Sequence, residues 1–255
     1  MAMTFKQELH IPSYAVGADN RLRLSALLQL QQEIGERQMD EHGMSFSVLR
    51  ARGIAFVVTR LRSHVTRLPE MGEKVIFTTW HRDIKGVQFF RCYTMTDEQG
   101  NPLIDSVTAF ALVDTEHHRL LRPDALADLG WPNQPDCVNN CPDPGREVPP
   151  PLVEVAAFRP RWSELDPNGH VNNTRYADYL CDNIPSGMDR KRVTDLYIRF
   201  DKEIRPDDRL SVSAAEERWQ DDTKTGGVAW VCGAHARGDA FVAKLCYEDE
   251  YVRRF

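Results

Sequence analysis

The sequence holds no apolar run near the roughly 18 residues that a membrane-spanning helix needs, and Met1 to His10 lacks the basic-then-apolar layout of a secretory signal. Both absences point to a cytoplasmic protein with no membrane partner. Cysteine is sparse, with six in 255 residues, and Cys92, Cys137, Cys141, Cys181, Cys232 and Cys246 are scattered. Only Cys137 and Cys141 lie close together, at a spacing that differs from the two-residue gap of zinc knuckles, so neither a metal centre nor a disulfide framework is expected. Positive charge is not in surplus either. With 32 Lys and Arg against 38 Asp and Glu the net charge is −6, which excludes a general nucleic-acid binder because neutralising phosphates needs a basic surface.

What is present reads as a globular chain, with 42% hydrophobic and 27% charged residues. From Ser25 to about Glu41, Leu27, Leu28, Leu30, Ile34 and Met39 recur near helical spacing, with Ser25 as the expected N-cap and Gly43 as the stop. Four β-rich segments follow: Ile54 to Val65, Lys74 to Arg82, Val87 to Thr96 and Leu103 to Asp114. The second half repeats the order, with a helix from about Asn173 to Asp182 and strands near Val193 to Asp201, Arg209 to Glu217, Gly227 to Ala236 and Ala240 to Tyr247. Val58 to Val75 lies on Val193 to Leu210 without a gap, which sets Leu68 opposite Glu203. Between the halves, Arg122 to Pro151 is proline-rich and aperiodic, the mark of an extended crossover. A helix across a curved antiparallel sheet buries one face of each, and two such units side by side can continue one sheet.

The densest chemistry lies just before the second helix, in Trp162-Ser163-Glu164-Leu165-Asp166-Pro167-Asn168-Gly169-His170-Val171-Asn172-Asn173-Thr174-Arg175-Tyr176. Asp, Asn and His alternate here at a helix start, where free backbone N–H groups can stabilise an oxyanion. The plainer reading is a polar loop with Asn172 or Asn173 as N-cap.

Asp-x-Asn-x-His-Val-Asn-Asn-x-x-Tyr, from Asp166 to Tyr176, resembles the signature of acyl-acyl-carrier-protein thioesterases. Its looser core, Asp-x-x-Gly-His-Val-Asn-Asn, is similar to that of hot-dog acyl-CoA thioesterases. The likeness extends to Leu30-Gln31-Gln32-Glu33, Phe56-Val57-Val58-Thr59-Arg60 and Thr79-Trp80 in the first half. It implies an α+β tandem (double) hot-dog, each unit a long helix against an antiparallel sheet and the two sheets side by side. The expected division is 1–125 as the N-terminal unit walling the acyl channel, 126–151 as the crossover linker and 152–255 as the catalytic unit.

The resemblance also implies hydrolysis of the thioester of fatty acyl-acyl carrier protein, with a catalytic set of Asp166, Asn168, His170 and Glu203, the Glu expected on the strand that follows. Plant members carry Cys directly after that Glu. Ile204 stands there in this chain, which excludes a thiolate nucleophile at that place. Glu203 is expected to serve as base on a water, its pKa raised by an apolar channel mouth, with Asp166 holding His170 and Asn168 in place; the reverse division, Asp166 as base, fits the same letters. No metal or cofactor is needed for an activated thioester. The loop before the first helix, Val16 to Leu24, has no His and no equivalent triad, so the first half is expected to line the acyl channel through Leu27, Leu30, Gln31, Ile34 and Val57, positions that ordinary core packing explains equally well. An acidic acyl carrier protein would find a cationic landing site at Arg190, Lys191 and Arg192. An acyl-CoA thioesterase of the same fold and a silent acyl-binding module are the rival readings, and monomer and homodimer both stay open.

Overall fold

The computed structural model describes residues 4–250 apart from 118 and 132, and divides into two compact units between Pro144 and Gly145. In the N-terminal unit the elements run β1 (Thr4–His10), α1 (Leu24–Glu41), α2 (Phe46–Ala51), β2 (Ile54–Val65), β3 (Lys74–Lys85), β4 (Gln88–Asp97), β5 (Pro102–Asp114) and a short β6 (Arg119–Leu120). The strands form an antiparallel sheet in the order β1-β3-β4-β5-β2, with β6 on β5. Alternation along β4 sends residues to opposite faces. Arg91 and Tyr93 face α1, where Gly35 lets the Tyr93 hydroxyl approach: a Cβ at Gly35 would stand 3.2 Å from it. Phe90 and Cys92 face the other way and pack with Trp80, Val107 and Ala109 against Cys141.

The C-terminal unit consists of β7 (Val153–Phe158), α3 (Arg175–Asp182), β8 (Lys191–Phe200), β9 (Leu210–Gln220), β10 (Thr225–His235) and β11 (Gly238–Asp249). Its antiparallel order is β7-β9-β10-β11-β8, the N-terminal order with β7 standing for β1 and β8 for β2. Here α3 has eight residues, so the helix is short rather than long. It lies on an aromatic cluster, with Tyr176 edge-on to Phe200 and Phe241 at 5.1 and 5.0 Å and Tyr179 edge-on to Phe158 at 5.1 Å.

Two expectations are corrected here, and α2, β1 and β7 are elements that the sequence pattern did not announce. Ser25 is not an N-cap: it is buried inside α1, whose N-cap is Arg23, because backbone bonds such as Arg23 N–H to Ala15 C=O (3.0 Å) fix the entry of the chain. A second helix, α2, capped by Ser45 Oγ on Val48 N–H (3.2 Å), follows Gly43. Both units open on an edge strand, β1 and β7, whose polar or exposed residues carry little β signal. The crossover expected at 126–151 belongs in large part to the N-terminal unit: Trp131 packs on Phe56, His81 and Phe89, Cys137 C=O accepts from Trp80 Nε1 (2.8 Å), and Asn139 Nδ2 donates to Tyr93 and Ser106 carbonyls. Cys137 and Cys141 cover the face of the sheet that α1 leaves open, whereas Trp131 joins the α1 face beside Phe89, His81 and Met39.

Candidate active site

Residues 165–171 form a tight turn that the backbone closes on itself. Leu165 bridges Val171, Asp166 N–H donates to His170 C=O (2.8 Å), and Gly169 supplies the left-handed step at φ 77°. The Asp166 carboxylate holds this turn from inside: Oδ1 accepts the N–H groups of Asn168 (2.8 Å) and His170 (3.2 Å), and Oδ2 accepts Asn168 Nδ2 at 3.4 Å. The expected link from Asp166 to His170 therefore runs through the backbone. Among the described residues nothing bonds to the half-buried His170 imidazole. Thr174, not Asn172 or Asn173, is the N-cap residue of α3, and Asn172 Oδ1 instead accepts from Thr174 N–H (2.9 Å).

One further bond ties this turn to a second loop. Val171 N–H donates to Ile204 C=O (2.9 Å), which sets Glu203 beside the turn. Tyr176 senses both loops. Its phenol is pushed above the ordinary tyrosine value, first by burial and then, against a hydrogen bond with the Ile204 backbone, by the charges of Glu203, Asp166 and Asp208.

Glu203 lies in the loop after β8 rather than on a strand, and its side chain is 40% exposed. Oε1 accepts from Arg205 Nη2 and Arg237 Nη1, each at 2.9 Å, and among the described residues no other side chain donates to Oε2. The expected rise in its pKa is corrected: burial acts upward, but its own backbone N–H, Arg237 and Arg205 together hold it below the ordinary glutamate value. Ile204 beside it is fully buried core. In the same unit, burial pushes the thiols of Cys181 and Cys232 up to about 12.

The N-terminal unit contains the same loop pair without the functional groups. Val16 bridges Leu22, Gly17 N–H donates to Arg21 C=O (2.8 Å), Asn20 takes the left-handed step at φ 65°, and Leu22 N–H donates to Pro69 C=O (2.9 Å). Bond for bond, Gly17 stands for Asp166, Asp19 for Asn168, Arg21 for His170 and Pro69 for Ile204. Leu68 consequently stands for Glu203, the pairing that the gapless sequence match gives independently.

Of the remaining candidates, Leu27 and Ile34 are buried in the α1 core, Leu30 is half-buried, and Gln31 is buried and donates to Ser106 Oγ (2.8 Å). Val57 is 40% exposed on β2. The landing site is corrected as well. Lys191 is buried, donating to Ser186 Oγ (2.7 Å) above the Tyr247 ring, and Arg192 pairs with Glu248 at 2.5 Å, so only Arg190 is left as an exposed cation of the three. The sequence reading missed His235, Arg237 and Asp208, which enclose the Glu203 loop. Arg237 sits in an Ala-Arg-Gly hairpin that reads as a plain turn.

The acyl-ACP thioesterase N-terminal domain model matches residues 2–126 and the acyl-ACP thioesterase C-terminal domain model matches residues 152–232. The chain belongs to the acyl-ACP thioesterase family. It is 25% identical over 235 residues to a chloroplastic acyl-[acyl-carrier-protein] hydrolase of Cuphea viscosissima, covering 86% of this chain and 57% of that protein. With a chloroplastic palmitoyl-acyl carrier protein thioesterase of Arabidopsis thaliana it shares 24% over 225 residues, or 82% of this chain and 54% of the relative. It thus spans about half the length of these curated relatives. Two solved structures share the fold: a 12:0-ACP thioesterase from Umbellularia californica (TM-score 0.79, 19% identity, 98% of this chain and 99% of that one) and an acyl-ACP thioesterase from Bacteroides thetaiotaomicron (TM-score 0.77, 18% identity, 96% and 98%). The fold is accordingly the tandem hot-dog. No helix among the described residues is long and apolar enough to cross a membrane.

Proposed function

We infer that this chain hydrolyses the thioester of fatty acyl-acyl carrier protein, releasing the fatty acid and the carrier's free thiol, by activating water in the C-terminal unit. The observation that carries this reading is the bond from Val171 N–H to Ile204 C=O, which joins the Asp166–His170 turn to the loop of Glu203. Family membership supports the substrate class.

The two carboxylates have different duties in this reading. Asp166 is occupied with the turn's N–H groups, whereas Glu203 keeps Oε2 clear, so Glu203 is the base that takes a proton from water. The arginines on Oε1 favour its ionised form. Asn168, exposed at the tip of the turn, polarises the thioester carbonyl through Nδ2, and His170 orients the water and protonates the departing thiolate. Asp166 acts through Asn168 and His170 by fixing their backbone. No bond to the enzyme forms in this scheme, in keeping with Ile204 at the only place where the resemblance puts a cysteine.

A direct test compares one acyl chain on carrier protein and on coenzyme A, with thiol release followed by a colorimetric reagent and the free acid by mass spectrometry. Equimolar thiol and acid, formed faster from the carrier protein, is the expected result. Faster turnover of the coenzyme A ester would reassign the substrate, and no thiol from either would make the chain a silent binding module.

A further inference from the structure

The β10–β11 hairpin reaches across to the Glu203 loop and grips it at several points. Arg237 Nη1 donates to Glu203 Oε1 (2.9 Å), and its Nη2 donates to the backbone carbonyl of the same residue (2.9 Å) and to Asp208 Oδ2 (2.6 Å). His235, its side chain fully buried, accepts Arg237 N–H on Nδ1 (3.2 Å), which leaves Nε2 to donate to Glu203 C=O (3.2 Å). Asp208 closes the ring from the far side by accepting Arg205 N–H at 2.7 Å. One guanidinium fork therefore holds both the main chain and the side chain of Glu203, a constraint that a single point charge cannot supply.

The N-terminal unit provides the contrast. Its β4–β5 hairpin turns inward: Asp97 accepts from Gln99 N–H (3.0 Å), Asn101 N–H (2.8 Å) and Asn101 Nδ2 (2.8 Å), and no arginine of that hairpin reaches Leu68. The loop bond itself is common to both units, since Thr66 and Arg67 N–H meet Leu103 C=O as Asp201 and Lys202 N–H meet Ala240 C=O. The loop can thus be built without the arginine. The grip occurs only where a carboxylate stands at its tip.

The geometry points to Arg237, backed by His235, as a positioning residue that fixes Glu203 with Oε1 engaged and Oε2 presented to water. Arg237 works through Glu203, whose Oε1 and backbone carbonyl it holds. This rests on the hydrolase reading given above.

The test is the pH profile of kcat/KM for acyl carrier protein substrate in Arg237→Met, Arg237→Lys and wild-type protein, with thermal unfolding monitored alongside. In Arg237→Met the acid limb moves up by about half to one pH unit, because an opposite charge beside a carboxylate lowers its pKa, and kcat falls more than KM rises. Arg237→Lys restores charge without the fork, so its acid limb lies between the two while kcat stays low. Should Arg237→Met fail to fold, the Lys variant decides alone: a displaced limb supports the assignment and an unmoved one overturns it. Glu203→Gln separates the two levels. If wild-type protein releases no thiol the hydrolase reading fails; if Glu203→Gln keeps full activity the assignment of Glu203 as base fails and the positioning role with it; if Glu203→Gln is inactive while the acid limb of folded Arg237 variants matches wild type, the positioning role fails by itself.

Discussion

The two units share a strand order and the same pair of loops, yet only one of them carries groups that can do chemistry. In the C-terminal unit the turn bears Asp166, Asn168 and His170 and meets Glu203; in the N-terminal unit the same bonds enclose Gly17, Asp19, Arg21 and Leu68. The loop pair is a scaffold of the fold, and in the proposed reading four side chains make one copy of it a site. The packing under the helices differs in the same sense. The short α3 rests on interlocked aromatic rings, whereas the interface beneath α1 is threaded by polar strings, Gln31 to Ser106 to Ser63 and Gln38 to Arg91 to Thr79.

The largest expected effect breaks that comparison at its centre. Glu203→Gln and His170→Ala should each lower kcat/KM by about 100- to 10,000-fold, the usual scale of general acid–base groups, in protein that stays folded, while Leu68→Gln leaves the rate within about threefold. Comparable losses from the Leu68 variant would show that the units share the chemistry. On stability, Tyr176→Ala should cost about 3–5 kcal/mol in denaturant titrations, the range of buried aromatic deletions, because its ring contacts both Phe200 and Phe241. A cost below about 1 kcal/mol would remove the aromatic cluster from the account.

Acid should separate the units in order. Burial first, then Arg91 and His42, hold His81 neutral well below the ordinary histidine value. The unfolded chain gains a proton near pH 6.5 that native His81 refuses, so this contribution to stability is full above that pH and declines below it, by up to about 1.4 kcal/mol per pH unit. In the C-terminal unit the folded values of Glu203 and Asp208 are lowered, so their stabilisation is present above the unfolded carboxylate values and disappears only as pH falls through roughly 4. Peptide-resolved hydrogen exchange from pH 7 to 4 should show the N-terminal unit opening first, and His81→Leu should delay it. Earlier opening of the C-terminal unit would contradict the assignment. The smallest effect concerns Arg190. Its reversal to Glu should change KM for the carrier substrate by less than about twofold, as befits one exposed charge screened by salt, and a large change would restore the landing site that Lys191 and Arg192 do not provide.

Much of this was legible in the letters because period and order are local properties. The limits of β2 match the alternation from Ile54 to Val65, and Leu68 opposite Glu203 follows from sequence alone. The edge strands escaped notice for a physical reason: Thr4–His10 and Val153–Phe158 pair on one side only, so nothing forces them to be apolar on both faces. Ser25 looked like a cap because capping residues are recognised by type, while here backbone bonds to Ala15 and Pro69 do the work. Lys191 and Arg192 read as surface charge because a run of cations says nothing about which strand face each one takes. The Arg237 grip was invisible since its partner lies 34 positions earlier and the link exists only through the hairpin.

Direct attack by water in the C-terminal unit is open to one decisive measurement: rapid-quench mass spectrometry of the intact chain while it turns over acyl carrier protein substrate. With water as the nucleophile, the protein's mass of 29.2 kDa stays unchanged at every time point as acid and thiol appear together. An acyl adduct on any residue, formed and lost at the rate of turnover, would contradict it.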